Sequence, residues 1–135
     1  MKKLLFGLIA MLVLSFTVKA QSISQATPLT GNTQTITNTA TGTLTVKVTD
    51  SYEVTSVQVN VTKVSGTIAG KVYMQASLDN VNFSNIDSVT VTDKAVNSKI
   101  FLNGINKYLY YKVSYTGVGT MVGTMNGFIV ARKRG

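Results

Sequence analysis

Between Thr43 and Val130, hydrophobic and polar residues alternate in short runs. In the clearest run Val57, Val59 and Val61 take every second position, with polar residues between them. Such alternation is typical of a β-strand with one buried face and one solvated face. The pattern recurs in six further runs, whose apolar rows are Leu44–Val48, Ile68–Leu78, Val89–Val91, Ile100–Leu102, Leu109–Tyr115 and Phe128–Val130. This part of the chain is therefore predicted to be all-β.

Turn-forming pairs separate these runs: Asp50-Ser51, Ser65-Gly66, Asp79-Asn80, Thr92-Asp93, Asn103-Gly104 and Thr116-Gly117. Asn, Asp and Gly accept the backbone geometry that tight turns require. A turn every 8–15 residues or so favours an antiparallel sandwich over parallel units with crossover helices. We predict a single antiparallel β-sandwich of seven to eight strands, Ig-like or jelly-roll-like, over residues 43–135, with the basic C-terminal tail Arg132-Lys133-Arg134.

The alternation also predicts which side chains form the core. The expected core residues are Val46, Val59, Val72, Met74, Leu109, Tyr111, Val113 and Val130. The apolar parity changes between Ile86 and Val89, which predicts a β-bulge or strand break near Asp87-Ser88.

Residues 1–20 have the pattern of a secretory signal helix. Lys2 and Lys3 are followed by the apolar run Leu4–Thr17, and Val18 and Ala20 are the small residues that a signal peptidase reads. The run is shorter than the roughly 20 residues of a membrane span, so we expect cleavage after Ala20 rather than a permanent anchor. The protein is thus expected in the periplasm, at the cell surface, outside the cell or on a virion, and to meet a membrane through this segment only if it is uncleaved.

Residues 21–42 are rich in Ser, Thr, Gln and Asn and contain few apolar residues. They offer little apolar area to offset the entropy of ordering. We predict a polar extended arm or linker that packs poorly on the sandwich, with one weak strand around Ile36.

Composition excludes much familiar chemistry. The chain has 135 residues with no His and no Cys. A Ser-His-Asp triad, a thiol nucleophile, a disulfide framework and a zinc site of the usual N and S ligands are all excluded. We predict no enzymatic activity, no catalytic residue and no cofactor.

The charge balance is basic. Without Lys2, Lys3 and Lys19, ten of the 13 Lys and Arg residues and all 5 acidic residues remain, a net charge of +5. Nucleic-acid footprints are usually clustered, whereas seven of these basic residues are scattered singly and three lie in the tail. We therefore interpret the charge as solvation and expect no nucleic-acid partner.

Oxygen ligands gather in the predicted turn after Leu78. Asp79, Asn80 and Asn82 offer oxygens to a hard cation such as Ca²⁺. The spacing of an EF-hand loop is missing, and a simple Asx turn accounts for the same residues. The loop is thus a candidate calcium site or a turn, with the turn favoured and no metal predicted.

Tyrosines mark the strand predicted from Lys107 to Ser114. Alternation places Tyr108, Tyr110 and Lys112 on the face opposite Leu109, Tyr111 and Val113. Outward tyrosines can stack on a sugar ring or anchor a protein partner, although cross-strand pairing within a sheet favours aromatics too. These three residues are the candidate binding site.

Part of the chain resembles discoidin-like sandwich domains. The segment Ser77-Leu78-Asp79-Asn80-Val81-Asn82-Phe83 is similar to their Ser-x-Asp-Gly-x-x-Trp hairpin, and Tyr110-Tyr111-Lys112-Val113 to the Tyr-Tyr-Arg-Val strand that follows. With the turn Thr116–Thr120, the stretch also looks like short β-sandwich proteins of phages and bacterial surfaces. The resemblance covers about residues 71–120 and implies a sandwich fold at a surface, and no ligand residue is carried over from it.

Two functions remain open from the sequence. The first is a non-enzymatic exported β-sandwich that acts as a structural or adhesive subunit on a cell surface or virion, since edge strands suit association. The alternative is a carbohydrate-binding module that uses exposed tyrosines. A protein partner or self-association is expected rather than a small molecule, and a glycan is the other candidate ligand.

Overall fold

The computed structural model describes residues 27–48, 52–102 and 108–133. The predicted signal segment, residues 21–26 of the predicted arm, the turns at Asp50-Ser51 and Asn103-Gly104, and the tail residue Arg134 lie outside the described residues.

Eight strands follow one another along the described chain. They are β1 (Thr27–Thr37), β2 (Thr41–Lys47), β3 (Tyr52–Gly66), β4 (Gly70–Ser77), β5 (Ser84–Val91), β6 (Val96–Leu102), β7 (Tyr110–Gly117) and β8 (Met121–Lys133). No helix occurs in these ranges, so the all-β prediction is confirmed, with the larger of the two expected strand numbers.

The strands form two antiparallel sheets, β1-β8-β3-β6 and β5-β4-β7-β2. β1 also pairs with β2 at Thr30 and Thr45, so it joins the sheets along one side of the sandwich. On the other side, β5 and β6 each have one strand neighbour and form the free edges. This order is that of an eight-stranded jelly roll, one of the two architectures that the sequence left open.

The core lies between the inner faces of the two sheets. Its largest fully buried side chains are Tyr111, Tyr115, Phe101, Ile36, Leu44, Ile68, Met74, Met121 and Met125. Of the eight predicted core residues, Val59, Val72, Met74, Tyr111 and Val113 are buried. Val46 and Leu109 are half-buried, and Val46 packs against the core.

The prediction for β8 was wrong in its parity. Val130 and Phe128 were expected to face the core, but Met121, Met125 and Ile129 are buried there, and Phe128 and Val130 are half-buried on the outer face. The inner row of β8 is completed by two glycines, Gly123 and Gly127, which carry no apolar side chain to reveal it. Ile68 fills the space above Gly123, where a Cβ would lie 2.9 Å from the Ile68 Cδ1.

β6 has the same inversion. Ile100 was expected to mark its apolar face, but Ile100 is 52% exposed, and Phe101 is fully buried instead. The inner row of β6 also contains Asn97 and Lys99, which pair with Val61 and Val59 of β3. Because polar residues occupy most of this inner row, the sequence pattern suggests the wrong face.

The expected arm differs most from the structure. Residues 27–37 form β1, which pairs with β8 from Thr33 to Thr37 and places a fully buried Ile36 in the core. Ile36 lies over Gly42 of β2, at whose position a Cβ would come 2.9 Å from the Ile36 Cγ1. The weak strand expected around Ile36 is thus an integral strand, because backbone pairing with β8 compensates for its few apolar residues.

Two smaller expectations concern the bulge and the tail. The register between β4 and β5 shifts between Met74 and Gln75, which pair with Asp87 and Asn85, so Ile86 is the additional residue. The bulge therefore lies next to the predicted position. Arg132 and Lys133, expected in a tail, belong to β8 and pair with Glu53 and Tyr52 of β3.

Candidate functional site

The outer face of β5-β4-β7-β2 carries aromatic, amide and lysine side chains. Register aligns Tyr73 with Ser114, Gln75 with Lys112, and Ser77 with Tyr110. Tyr73 and Tyr110 thus lie on adjacent strands, four residues apart in register, or about 13 Å at about 3.3 Å per residue. We call this surface the tyrosine–lysine face and define it by Lys47, Lys71, Tyr73, Gln75, Phe83, Tyr110 and Lys112.

Each aromatic ring of the tyrosine–lysine face has a lysine beside it. The Lys71 Nζ lies 5.3 Å from the centre of the Tyr73 ring, and the Lys47 Nζ lies 5.7 Å from that of Tyr110. The Lys112 Nζ approaches the Phe83 ring to 4.0 Å. Ammonium groups at these distances from an aromatic face are attracted by the ring quadrupole. The face therefore combines flat apolar rings with positive charge.

Gln75 lies between the two tyrosines in register and forms an amide pair with Asn85 of β5. The Gln75 Nε2 donates to the Asn85 Oδ1 at 2.8 Å across the β4–β5 pair. The hydroxyls of Thr43, Thr45 and Ser114 belong to positions on the same side of β2 and β7. A polar ligand can stack on the aromatic rings and form hydrogen bonds with the hydroxyl and amide groups around them.

The three predicted binding residues are not placed together. Tyr110 and Lys112 lie on the outer face of β7, as alternation predicts. Tyr108 precedes β7, and its ring packs edge-on against the buried Tyr111, with ring centres 6.2 Å apart. The strand was expected to begin at Lys107 but begins at Tyr110, so alternation does not extend back to Tyr108.

Tyr108 instead lines a cavity of about 350 Å³ at one end of the sandwich. The other lining residues are Ala76, Ser77, Leu78, Asp79, Asn82, Ser84 and Ile86. The cavity adjoins the β4–β5 hairpin, whose Phe83 contacts Lys112 of the tyrosine–lysine face.

The loop of Asp79, Asn80 and Asn82 has the geometry of a turn. The Asp79 Oδ1 accepts hydrogen bonds from the Ser77 Oγ at 2.7 Å, the Val81 amide at 2.9 Å and the Asn82 amide at 2.8 Å. The Asp79 Oδ2 accepts from the Asn82 Nδ2 at 2.7 Å. These bonds, with the Asn82 side chain contributing most, hold the pKa of Asp79 well below its ordinary value. Asn80 adopts a φ of 63°, which Asn tolerates in turns.

Both carboxylate oxygens of Asp79 are thus used by donors that fix the loop. Within the described ranges, no three His, Cys, Asp or Glu side chains lie close enough together to hold a metal ion. The same part of the chain contains no helix long and apolar enough to cross a membrane.

Tyr73 and Phe83 are members of the face that sequence reasoning did not select. Tyr73 occupies the polar row of a strongly alternating strand, between Lys71 and Gln75, so the alternation is enough to predict that it faces outward. Its proximity to β7 depends on the strand order, which alternation does not specify. Phe83 stands at the aromatic position of the hairpin motif, and its contact with Lys112 requires the β4–β7 pairing.

No protein-family model and no curated protein sequence matches the chain. Among solved structures, a mitogen derived from Yersinia pseudotuberculosis superposes with a TM-score of 0.56 at 7% identity, over 80% of this chain and 86% of that one. A carbohydrate-binding module from the family 9 glycoside hydrolase Cel9A of Ruminococcus flavefaciens FD-1 gives 0.52 at 14% identity, over 82% of this chain and 100% of that one. A chain of the cowpea mosaic virus top component gives 0.51 at 11% identity, over 85% and 89%. At these identities the likeness is one of fold: the chain is an all-β sandwich similar to a carbohydrate-binding module and a virus particle protein.

Proposed function

We propose that this protein is a non-enzymatic, exported adhesive subunit that binds an acidic glycan through the tyrosine–lysine face. The observation that carries the proposal is the pairing of a lysine with each aromatic ring on one outer sheet face. Export rests on the signal pattern of residues 1–20. The similarity to a carbohydrate-binding module supports a fold compatible with this function.

The chemistry of the face favours a sugar that carries carboxylate or sulfate groups. Sugar rings have apolar faces that stack on Tyr, and Tyr presents a large rigid surface at little entropic cost. Lys47, Lys71 and Lys112 supply three positive charges around Tyr73 and Tyr110. Anionic groups on the sugar would pair with these charges, whereas a neutral glycan would use only the rings and the amides. Tyr110 and Lys112 are retained from the sequence prediction, and Tyr73 takes the place of Tyr108.

A glycan array that includes neutral and acidic glycans tests the proposal. We expect the mature protein to prefer acidic glycans and to bind them more weakly as salt concentration rises, because exposed charges are screened. The double variant Tyr73→Ser and Tyr110→Ser should lose at least about thirtyfold in affinity, which corresponds to about 2 kcal/mol for hot-spot tyrosines. Tyr52→Ser is the matched control, since Tyr52 is 39% exposed and belongs to the other sheet. Unchanged binding by the double variant, or a loss equal to that of the control, would refute the proposed face.

A structural role is the second candidate, and the outer face of β1-β8-β3-β6 favours it. We call the part of this surface formed by β3, β6 and β8 the uncharged face and define it by Ser56, Gln58, Asn60, Val96, Ser98, Ile100, Thr124, Asn126, Phe128 and Val130. Ile100 and Val96 are 52% and 49% exposed. An amide ladder crosses three strands, because the Gln58 Nε2 donates to the Ser98 Oγ at 3.3 Å and the Asn60 Nδ2 donates to the Asn126 Oδ1 at 3.1 Å.

A second copy of the chain is the occupant that the uncharged face fits. In a basic protein, two copies repel through most of the surface but can approach through a face without charges. Size-exclusion chromatography with light scattering should show an oligomer, and Ile100→Lys should convert it to a monomer, whereas Lys71→Glu on the other sheet should not. A monomer at every concentration would remove this candidate and leave the glycan proposal standing.

A further inference from the structure

A groove of about 250 Å³ lies between the free edges of the two sheets, where β5 and β6 lie side by side. It is lined by Val59, Val61, Val72, Val89, Thr90, Val91, Thr92, Lys94, Asn97, Ser98 and Lys99. Val59, Val61 and Val72 are at most 2% exposed, so the back of the groove is apolar. The groove shares no residue with the tyrosine–lysine face and only Ser98 with the uncharged face.

The groove exists because polar side chains occupy the inner row of β6. Asn97 and Lys99 lie opposite Val61 and Val59 in the β3–β6 register, at positions that an apolar residue would fill in a closed core. On the facing sheet, Val89 lies opposite Val72. The wall formed by β4 and β5 is therefore lined by valines, and the β6 edge opposite it carries a lysine and an amide.

Lys99 lines the groove beside a buried aromatic ring. It is half-buried, and its Nζ lies 5.8 Å from the centre of the buried Phe101 ring. Among the described residues, one lysine forms a salt bridge: the Lys63 Nζ lies 2.7 Å from the Asp93 Oδ1. In the same part of the chain, neither Lys99 nor Lys94 has a carboxylate within salt-bridge distance. Removing a cation from water is unfavourable unless an anion or hydrogen-bond acceptor compensates.

Asn97 and Thr92, two other polar residues of the groove, bind each other. The Asn97 Nδ2 donates to the Thr92 carbonyl oxygen at 2.9 Å, and the Asn97 Oδ1 accepts from the Thr92 amide at 3.1 Å. This pair of bonds fixes the β5–β6 connection beside Lys94. The two lysines are the charged groups that the groove offers to a ligand.

We propose that the groove binds an anionic amphiphile with a short aliphatic chain, such as a medium-chain fatty carboxylate. The carboxylate would pair with Lys99 and Lys94, and the chain would pack on the valines. The volume is slightly below the roughly 300–1,000 Å³ of drug-sized pockets, which suits a chain of this length. An inward-pointing lysine on an edge strand also protects against edge-to-edge aggregation, and the experiment separates that role from binding.

Sodium octanoate is the probe, added to mature protein whose valine methyl groups are labelled with carbon-13. Methyl resonances in NMR spectra should shift for Val59, Val61, Val72 and Val89, while those of the exposed Val64 should not. Lys99→Gln keeps a polar side chain of similar shape without the charge, and it should weaken octanoate binding by about tenfold. Lys71→Gln, on the tyrosine–lysine face, is the matched control and should bind octanoate as the wild type does.

Several results would overturn the proposal. Absence of shifts with octanoate would do so, as would equal binding of octanoate, 1-octanol and octylammonium, because the lysines would then contribute nothing. If Lys99→Gln bound octanoate normally but self-associated in light scattering, Lys99 would be an edge-protecting residue instead. A circular dichroism melt of Lys99→Gln establishes that the variant is folded before binding is compared.

Discussion

The Lys112 Nζ lies 4.0 Å from the centre of the Phe83 ring and so connects the β4–β5 hairpin to the outer face of β7. Both side chains are half-buried, and Lys112 stands opposite Gln75 of β4. The contact holds the hairpin aromatic ring over the sheet, within the tyrosine–lysine face that we propose binds a glycan.

This contact should be measurable as a coupling free energy. A double-mutant cycle with Phe83→Leu and Lys112→Met is expected to give about 0.5–1 kcal/mol in urea unfolding, the usual size of a cation–π interaction at a partly exposed site. The same cycle for Lys71 and Tyr73 should give a smaller coupling free energy, because the Lys71 Nζ lies 5.3 Å from the centre of the Tyr73 ring and Lys71 is exposed. A coupling indistinguishable from zero at the first pair would show that the two groups are merely neighbours.

Two buried tyrosines should respond oppositely to loss of the hydroxyl. The Tyr115 hydroxyl donates to the Ala69 carbonyl oxygen at 2.7 Å, so Tyr115→Phe should cost about 1 kcal/mol or more. The Tyr111 hydroxyl is buried without a hydrogen-bond partner of standard geometry among the described residues, so Tyr111→Phe should be neutral or stabilising. Chemical denaturation of both variants checks the contrast. A comparable destabilisation by Tyr111→Phe would mean that its hydroxyl has a partner.

The same burial predicts a pH dependence on the alkaline side. Desolvation raises the pKa of Tyr111 to about 12, an effect that the nearby Tyr108 backbone only partly offsets. Because the folded state resists ionisation, the stability present below pH 10 should be lost as the pH rises from about 10 towards 12. Thermal melts across this range should decline less steeply for Tyr111→Phe than for the wild type. Equal slopes would place the alkaline loss at another group.

The sequence predicted the sandwich because most strands carry their apolar side chains on one face. Val57, Val59 and Val61 in β3 are all buried, and the alternate positions are half-buried. The predicted inner face was wrong where the inner row lacks such side chains: glycines stand there in β8, and Lys99 stands there in β6. Alternation shows which row of a strand is apolar. The apolar row is the buried row only if the inward positions of that strand carry apolar side chains of their own.

The candidate site was only partly predictable for a different reason. Tyr110 and Lys112 are two residues apart on one strand, so local alternation places both on the outer face. Tyr73 joins them through the β4–β7 register, which depends on the whole strand order. Tyr108 was misplaced because the start of β7, rather than any apolar pattern, decides whether it follows the alternation.

Acid should weaken the fold through two aspartates. The Asn82 side chain lowers the pKa of Asp79, and the Lys63 ammonium lowers the pKa of Asp93, both from an ordinary value of 3.8. Both carboxylates therefore bind protons at a higher pH in the unfolded chain than in the folded protein. The stability present above about pH 4 should be lost as the pH falls further. In thermal melts from pH 7 to pH 2, Asp79→Asn and Asp93→Asn should each flatten the acid decline, and the double variant should flatten it more. A double variant as steeply pH-dependent as the wild type would assign acid sensitivity elsewhere.

Gly66, the last residue of β3, can be tested against Gly119, a control glycine in the turn between β7 and β8. Both have positive φ, 71° and 81°, so alanine at either position pays about 1 kcal/mol for the left-handed backbone. A Cβ on Gly66 would clash with the Thr120 carbonyl oxygen, whereas a Cβ on Gly119 meets nothing within 4 Å. Because Gly66 pairs with Met121 at the end of β3, relief of that clash would require the β3–β8 ladder to shift. Gly66→Ala should therefore lose about 2–4 kcal/mol in urea unfolding, the strain of overpacking added to the backbone term, while Gly119→Ala should lose only about 1 kcal/mol. Equal losses of unfolding free energy for the two variants would show that the backbone around Gly66 can move without cost. The close approach of Gly66 to Thr120 would then not be needed to hold β3 against β8.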